Sequence, residues 1–224
     1  MDPEKLEKTR FRNKLPVARE GLPFIFIGCA LTFLLLYVGF QIVAVFAGIL
    51  SLLTIYFFRD PERSPDCDDK TALTPADGKI IDIKTLNDGQ NFLGAPAVKI
   101  SVFMTIFNVH VNRVPISGRI SKIDYRSGSF FSANLDKAAE QNESNRITLE
   151  TENGHRIVFV QIAGLIARRI VCWVKEGDRL ETGQRFGLIR FGSRLDIYLP
   201  IDSRICAQMN QKVKAGETIL GYMS

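Results

Sequence analysis

Hydrophobic patterning divides the chain into two regimes. Between Gly21 and Phe58 there is no Asp, Glu, Lys or Arg, and apolar residues run almost without interruption. One membrane-spanning helix needs roughly 20 apolar residues, so this stretch is long enough for nearly two. Gly39 and Gln41 break it near the middle, which predicts a helical hairpin with halves 22–38 and 42–58 and a turn at 37–41. Each half is at the short end for a span, so the pair either crosses the bilayer or lies re-entrant in one leaflet. A buried helix pair of a non-membrane protein is the bland alternative. A secretory signal is disfavoured, because the apolar region is too long and no small-residue cleavage site follows it.

Beyond Phe58 the pattern changes abruptly. Arg59-Asp60-Pro61-Glu62-Arg63-Ser64-Pro65-Asp66 is polar, and its two prolines mark a linker over 59–74. Short apolar runs then alternate with Gly, Asn and Asp turns, and 98–103, 157–162 and 195–199 carry strand patterning. Asn153-Gly154 is a hairpin signal between 147–151 and 156–160. Residues 133–141 are helix-like in composition. A weak repeat relates Val174-Lys175-Glu176-Gly177-Asp178 to Val213-Lys214-Ala215-Gly216-Glu217, with Pro75-Ala76-Asp77-Gly78-Lys79-Ile80 as a third turn-and-strand entry. The predicted fold is mainly β (α+β): a barrel–sandwich-hybrid-like β domain over 75–224, preceded by a segment 1–20, the hairpin 21–58 and the linker. Such a fold says little about function. No lysine stands between methionines, as a lipoyl- or biotinyl-type carrier domain commonly has it.

Charge sharpens the membrane reading. The net charge is only +5, but Lys5, Lys8, Arg10, Arg12, Lys14 and Arg19 crowd the first twenty residues, partly offset by Glu4, Glu7 and Glu20. Beside an apolar hairpin, each basic residue near an anionic surface contributes about 1 kcal/mol of attraction. Arg19 before the hairpin and Arg59 and Arg63 after it place both ends in the cytoplasm by the positive-inside tendency. Nucleic acid is the weaker partner, since basic and aromatic residues do not interleave. The four cysteines (Cys29, Cys67, Cys172 and Cys206) have no CxxC or zinc-type spacing, so a reduced compartment and no metal site are expected.

Arg185-Phe186-Gly187-Leu188-Ile189-Arg190-Phe191-Gly192-Ser193-Arg194-Leu195-Asp196-Ile197-Tyr198-Leu199-Pro200 resembles the processing segment of the short-form phosphatidylserine decarboxylases. The resemblance extends in order through Phe57-Phe58-Arg59-Asp60-Pro61-Glu62-Arg63, Pro75-Ala76-Asp77-Gly78, Asn108-Val109-His110-Val111-Asn112-Arg113-Val114-Pro115 and Ser132-Ala133-Asn134-Leu135-Asp136-Lys137-Ala138. It covers nearly the whole chain. It implies autocatalytic serinolysis at Gly192-Ser193, giving a β chain 1–192 and an α chain that begins at a pyruvoyl group made from Ser193. That group would condense with the substrate amine as a Schiff base and accept the electrons released as carbon dioxide leaves. The implied reaction turns phosphatidylserine into phosphatidylethanolamine at the cytoplasmic face of the cell membrane.

The residue types fit this chemistry. A serine hydroxyl attacks the carbonyl before it only if the intervening peptide is held in an unusual turn, which glycine permits. Serine also needs a base, and His110 is the best candidate, with Asp77 orienting it in an Asp77–His110–Ser193 relay. Read without the resemblance, His110 is equally a hydrogen-bonded core residue, and Asp77 equally caps its own turn. The headgroup needs cationic donors, for which Arg113, Arg146, Arg168 and Arg169 are candidates. Two departures from the longer-form family stand out. Arg113 occupies the place of a second histidine, and Arg194 that of a threonine, which makes Asp196 a possible local participant. Otherwise Arg194 and Asp196 form a solvated strand-face pair. Other readings are decarboxylation of an ether-linked, archaeal-type phosphoserine lipid, decarboxylation of a soluble amino acid, which the hairpin disfavours, and a non-catalytic membrane-anchored adaptor. A homo-oligomer is compatible with any of them.

Overall fold

The computed structural model describes residues 15–89, 91–129, 131, 141–165, 169–190 and 192–224. Residues 133–140 of the helix-like stretch lie outside these. The chain divides into two compact units, a helical one ending at Glu62 and a β unit over Arg63–Ser224.

In the helical unit, α1 (Leu22–Val38) and α2 (Gln41–Phe57) form the expected hairpin. Gly39 closes α1 in the left-handed conformation, φ 91°, while the Gly39 and Phe40 amides donate to the last carbonyls of the helix. The outward faces are apolar, with Phe26, Phe33, Ile42 and Phe46 strongly exposed. The hydroxyls of Thr32, Ser51 and Thr54 donate to carbonyls four residues earlier, so few polar groups are left for an apolar medium to strand. The ends of the hairpin are clasped: the Ala18 amide donates to Phe58 and the Asp60 amide to Pro16. Arg19–Val38 is long and apolar enough to cross a membrane, with a mean hydropathy of 2.2; Gln41–Phe57 is shorter.

The β unit contains β1 (Thr71–Leu73), β2 (Gly78–Leu86), β3 (Ala97–Met104), β4 (Val111–Arg113), β5 (Gly118–Arg126), β6 (Ser144–Glu150) and β7 (Arg156–Ala163). It continues with β8 (Ile170–Cys172), β9 (Arg179–Leu180), β10 (Arg185–Ile189), β11 (Ser193–Pro200), β12 (Arg204–Ile205), β13 (Lys212–Val213) and β14 (Ile219–Tyr222). An eight-stranded sheet runs β13-β2-β3-β11-β7-β6-β5-β9, and two small sheets run β1-β14-β12 and β4-β10-β8. Ile100, Ile147, Phe159, Leu195, Phe186, Ala72 and Leu220, drawn from all three sheets, belong to one buried core. The mainly β fold with N-terminal helices is therefore as expected. The Asn153-Gly154 turn joins β6 to β7, with Gly154 at φ 80°. The stretch read as a linker is partly built into this unit: Thr71–Leu73 forms β1, and the Arg63 side chain is 6% exposed.

The large sheet is covered on both faces. A second apolar cluster of Leu93, Ala97, Val158, Val160, Ile162 and Tyr198 lies on the face away from the main core. Period-2 alternation along β11 thus sends Ser193, Leu195, Ile197 and Leu199 into the main core, and Arg194, Asp196 and Tyr198 to the other face.

Candidate active site

Ser193 heads β11, an interior strand held on both sides. Its cross-strand neighbours are Met104 at the end of β3 and Ala163 at the end of β7. The side chain is fully buried, and its Oγ has no hydrogen-bond partner among the described residues. A buried hydroxyl left unbonded costs about 1–3 kcal/mol, so the group calls for an explanation. Gly192, immediately before it, takes φ 55°. Open space surrounds the place where a Cβ would stand on Gly192, so it is the backbone angle that calls for glycine.

His110 enters from the edge of the small β4-β10-β8 sheet. Its carbonyl accepts from the Ile189 amide at 3.3 Å, near the end of the strand that leads to Gly192. The ring is fully buried, with Nδ1 2.9 Å from the Asn108 carbonyl. With the proton on Nδ1 donated to that carbonyl, Nε2 is the basic nitrogen, the state that a general base requires.

The Asp77–His110–Ser193 relay is not assembled as a hydrogen-bonded chain. The Asp77 carboxylate receives Arg63 at 2.6 and 3.0 Å and the Ala215 amide at 2.8 Å. A guanidinium fork outcompetes a neutral imidazole for a carboxylate. Arg63 also donates to the Ala215 carbonyl and lies 3.3 Å from Glu217. Asp77 therefore fixes its turn, and that turn supports β4: the Arg113 amide donates to the Pro75 carbonyl at 2.9 Å. Arg63 was read as a flanking charge of the hairpin and as the end of the Arg59–Arg63 motif, and its pairing with Asp77 was missed, because the exposed polar residues around it gave no sign that its side chain is buried.

The candidate headgroup ligands that the structure describes are spread over different elements. Arg113 is buried and donates to the Gly183 carbonyl at 2.9 Å. Arg146 pairs with Asp124 at 3.0 Å and stacks over Phe92 at 4.3 Å, on the sheet face away from Ser193. Arg168 lies outside the described residues, and Arg169 is exposed beside β8. Asp196 binds Arg194 at 2.6 and 3.0 Å, and Arg194 also donates to Ser101. Both members of that pair are 1% exposed; the solvated strand-face reading is overturned, because the second sheet face is covered. Burial alone pulls the Arg194 guanidinium down, but the Asp196 carboxylate outweighs it and the net shift is upward.

A buried amide chain adjoins the site. Asn145 donates to Gln161 at 2.9 Å, Gln161 to Asn112 at 2.8 Å, and Asn112 to the Met104 sulfur at 3.7 Å. It ties β6, β7 and β4 together behind the neighbours of Ser193. Gln161, a polar residue at a core-facing position of an apolar strand, was the readable signal. Among the described residues no cluster of His, Cys, Asp and Glu is suited to hold a metal.

Fold and site together define a β domain with a left-handed glycine and a buried serine at the head of an interior strand, preceded by an apolar helical hairpin. The phosphatidylserine decarboxylase family model matches residues 50–221, and the chain belongs to that family. It is 50% identical over 210 residues to the phosphatidylserine decarboxylase proenzyme of Desulfotalea psychrophila, covering 94% of this chain and 98% of the relative. The proenzyme of Syntrophus aciditrophicus is 51% identical over 207 residues, covering 92% and 96% respectively. That of Geotalea uraniireducens is 46% identical over 213 residues, covering 95% and 99%. Family membership makes the chain an enzyme, a carboxy-lyase, rather than an adaptor.

Proposed function

We propose that this chain cleaves itself at Gly192-Ser193 and then decarboxylates phosphatidylserine to phosphatidylethanolamine at the cytoplasmic face of the cell membrane. The observation that carries the reading is the pairing of the left-handed Gly192 with the buried, unbonded Oγ of Ser193. His110 takes the hydroxyl proton, and Oγ attacks the Gly192 carbonyl carbon. Breaking of the peptide C–N bond returns a proton to nitrogen and leaves an ester. Loss of the Ser193 Cα proton then expels the Gly192 carboxylate, leaving a dehydroalanine whose hydrolysis releases ammonia. The product is an N-terminal pyruvoyl group on chain 193–224, with chain 1–192 retaining the hairpin. When formed, that group supplies an electron sink for loss of carbon dioxide.

The residues present fit such a group. Ser193 is fully buried with an orphaned Oγ, and β3 and β7 grip β11 on either side, so the new terminus stays in register. His110 stands as the proton donor to the decarboxylated carbon. Asp77 acts as a positioning residue, through its Arg63-bound turn and β4. The hairpin attaches the enzyme to the bilayer that holds its substrate. In the test, Ser193→Ala is purified from membranes and assayed on phosphatidylserine. Release of carbon dioxide by this variant contradicts the mechanism; loss of both cleavage and activity is expected.

A further inference from the structure

Strand register places five loops and turns at one end of the large sheet. β3, β5 and β7 all finish at the end where β11 begins, since Ser193 pairs with Met104 and Ala163, and Ser144 with Arg126 and Ile162. The Pro75–Gly78 turn and Gly192 lie at this end as well. The connections leaving β3, β5 and β7 carry large exposed apolar side chains. Phe107 is 63% exposed and Leu165 is 61% exposed, with Ile106 and Phe131 beside them in the exposed class.

These side chains are held outward by structure. Residues 105–108 form a tight turn in which the Asn108 side chain accepts from the Thr105 amide and hydroxyl, and the Asn108 amide donates to the Thr105 carbonyl. Its two tip residues are Ile106 and Phe107, where turns in water carry polar residues. Phe131 is bracketed by the fully buried Asn142. That side chain donates to the Phe131 and Ala163 carbonyls, at 2.7 Å each, and accepts from the Phe131 amide. One amide thus fixes an exposed phenyl group to the strand end beside Ser193. Among the other exposed apolar residues of the β unit, Phe92 lies under Arg146 and against Tyr198, and Ile201 follows the far end of β11.

Charge matches the same partner. Arg126 and Arg169 are exposed at this end, and each basic residue near an anionic bilayer surface contributes about 1 kcal/mol. Exposed apolar tips at an end that also carries exposed basic side chains fit an interfacial anchor. We propose that the loop rim around Ser193, carried by Ile106, Phe107, Phe131 and Leu165, is a docking surface that seats this end of the β unit on an anionic phospholipid bilayer. The inference rests on the reading of the substrate as a bilayer lipid. The rim brings the buried serine to the headgroup layer, so a lipid need not leave the membrane fully to react.

The full-length chain and its Phe107→Asp and Leu165→Asp variants are assayed for carbon dioxide release. One substrate is phosphatidylserine in phosphatidylcholine vesicles, and the other is a soluble short-chain phosphatidylserine. On vesicles, kcat/KM is expected to fall about tenfold or more for each variant, as loss of an inserted side chain predicts. On the soluble substrate it stays within about twofold of wild type, because the two substituted side chains are exposed rather than buried against His110 or Ser193. Phe107→Gln, a milder change, is expected to give a smaller loss of the same kind, and covers misfolding of the aspartate variants. Unaltered vesicle activity in the variants of an active wild type overturns this inference alone, as does an equal loss on both substrates. A wild-type chain inactive on both forms of phosphatidylserine overturns the substrate reading and this inference with it.

Discussion

At the scale of single residues, the proposed chemistry rests on Gly192 and His110. At φ 55° an L side chain on residue 192 costs about 1–2 kcal/mol, with no crowding to add to it. Gly192→Ala is therefore expected to fold and to cleave several-fold more slowly, followed as loss of full-length chain on gels; an unchanged rate contradicts the role of the turn. A general base contributes about 10²–10⁴ in rate, so His110→Gln is expected to slow cleavage at least about a hundredfold, with partial rescue by added imidazole. Cleavage of His110→Gln at the wild-type rate removes His110 from the mechanism. At this scale the candidate pair was legible only through the ordered motifs around it, while the left-handed glycine and the burial of the serine are visible in the fold alone. Partners were less legible. Asp77 and His110 share a family pattern, but only the fold reveals that Arg63 claims the carboxylate of Asp77.

Elements were read well where periodicity is long. The stretches 98–103, 157–162 and 195–199 lie inside β3, β7 and β11, and the helix halves match α1 and α2 within a residue. The two-residue strands β9, β12 and β13 have no period to detect and exist through their pairing. Alternation along β11 identified two faces without showing that both are covered, so a solvated pair stood as the alternative to a local role for Asp196, and a buried pair was not foreseen. Their burial makes a stability prediction for this strand. Asp196→Asn or Arg194→Met leaves one buried group without its partner, at a cost of about 3–5 kcal/mol in denaturant unfolding. The double variant Arg194→Met with Asp196→Leu is expected to recover most of that loss. Equal destabilisation by single and double variants contradicts a paired role.

Across the whole molecule, an apolar hairpin precedes a β unit that buries Ser193 at the head of an interior strand. The lack of charge from Gly21 to Phe58 made the hairpin visible. A charge at the centre of a spanning helix costs about 2.5–3.5 kcal/mol, so Leu34→Arg, at an exposed position of α1, is expected to move chain from the carbonate-washed membrane pellet into the supernatant. Full retention of Leu34→Arg in the pellet contradicts membrane attachment through α1. The central claim is tested most directly by the intact mass of the purified wild-type chain beside Ser193→Ala. The account predicts that wild type yields two polypeptides, 1–192 and 193–224, which co-elute under native conditions, the smaller one blocked to N-terminal sequencing, while Ser193→Ala stays whole. A wild-type chain that remains full length after prolonged incubation, or a Ser193→Ala chain cut at the same bond, would contradict it.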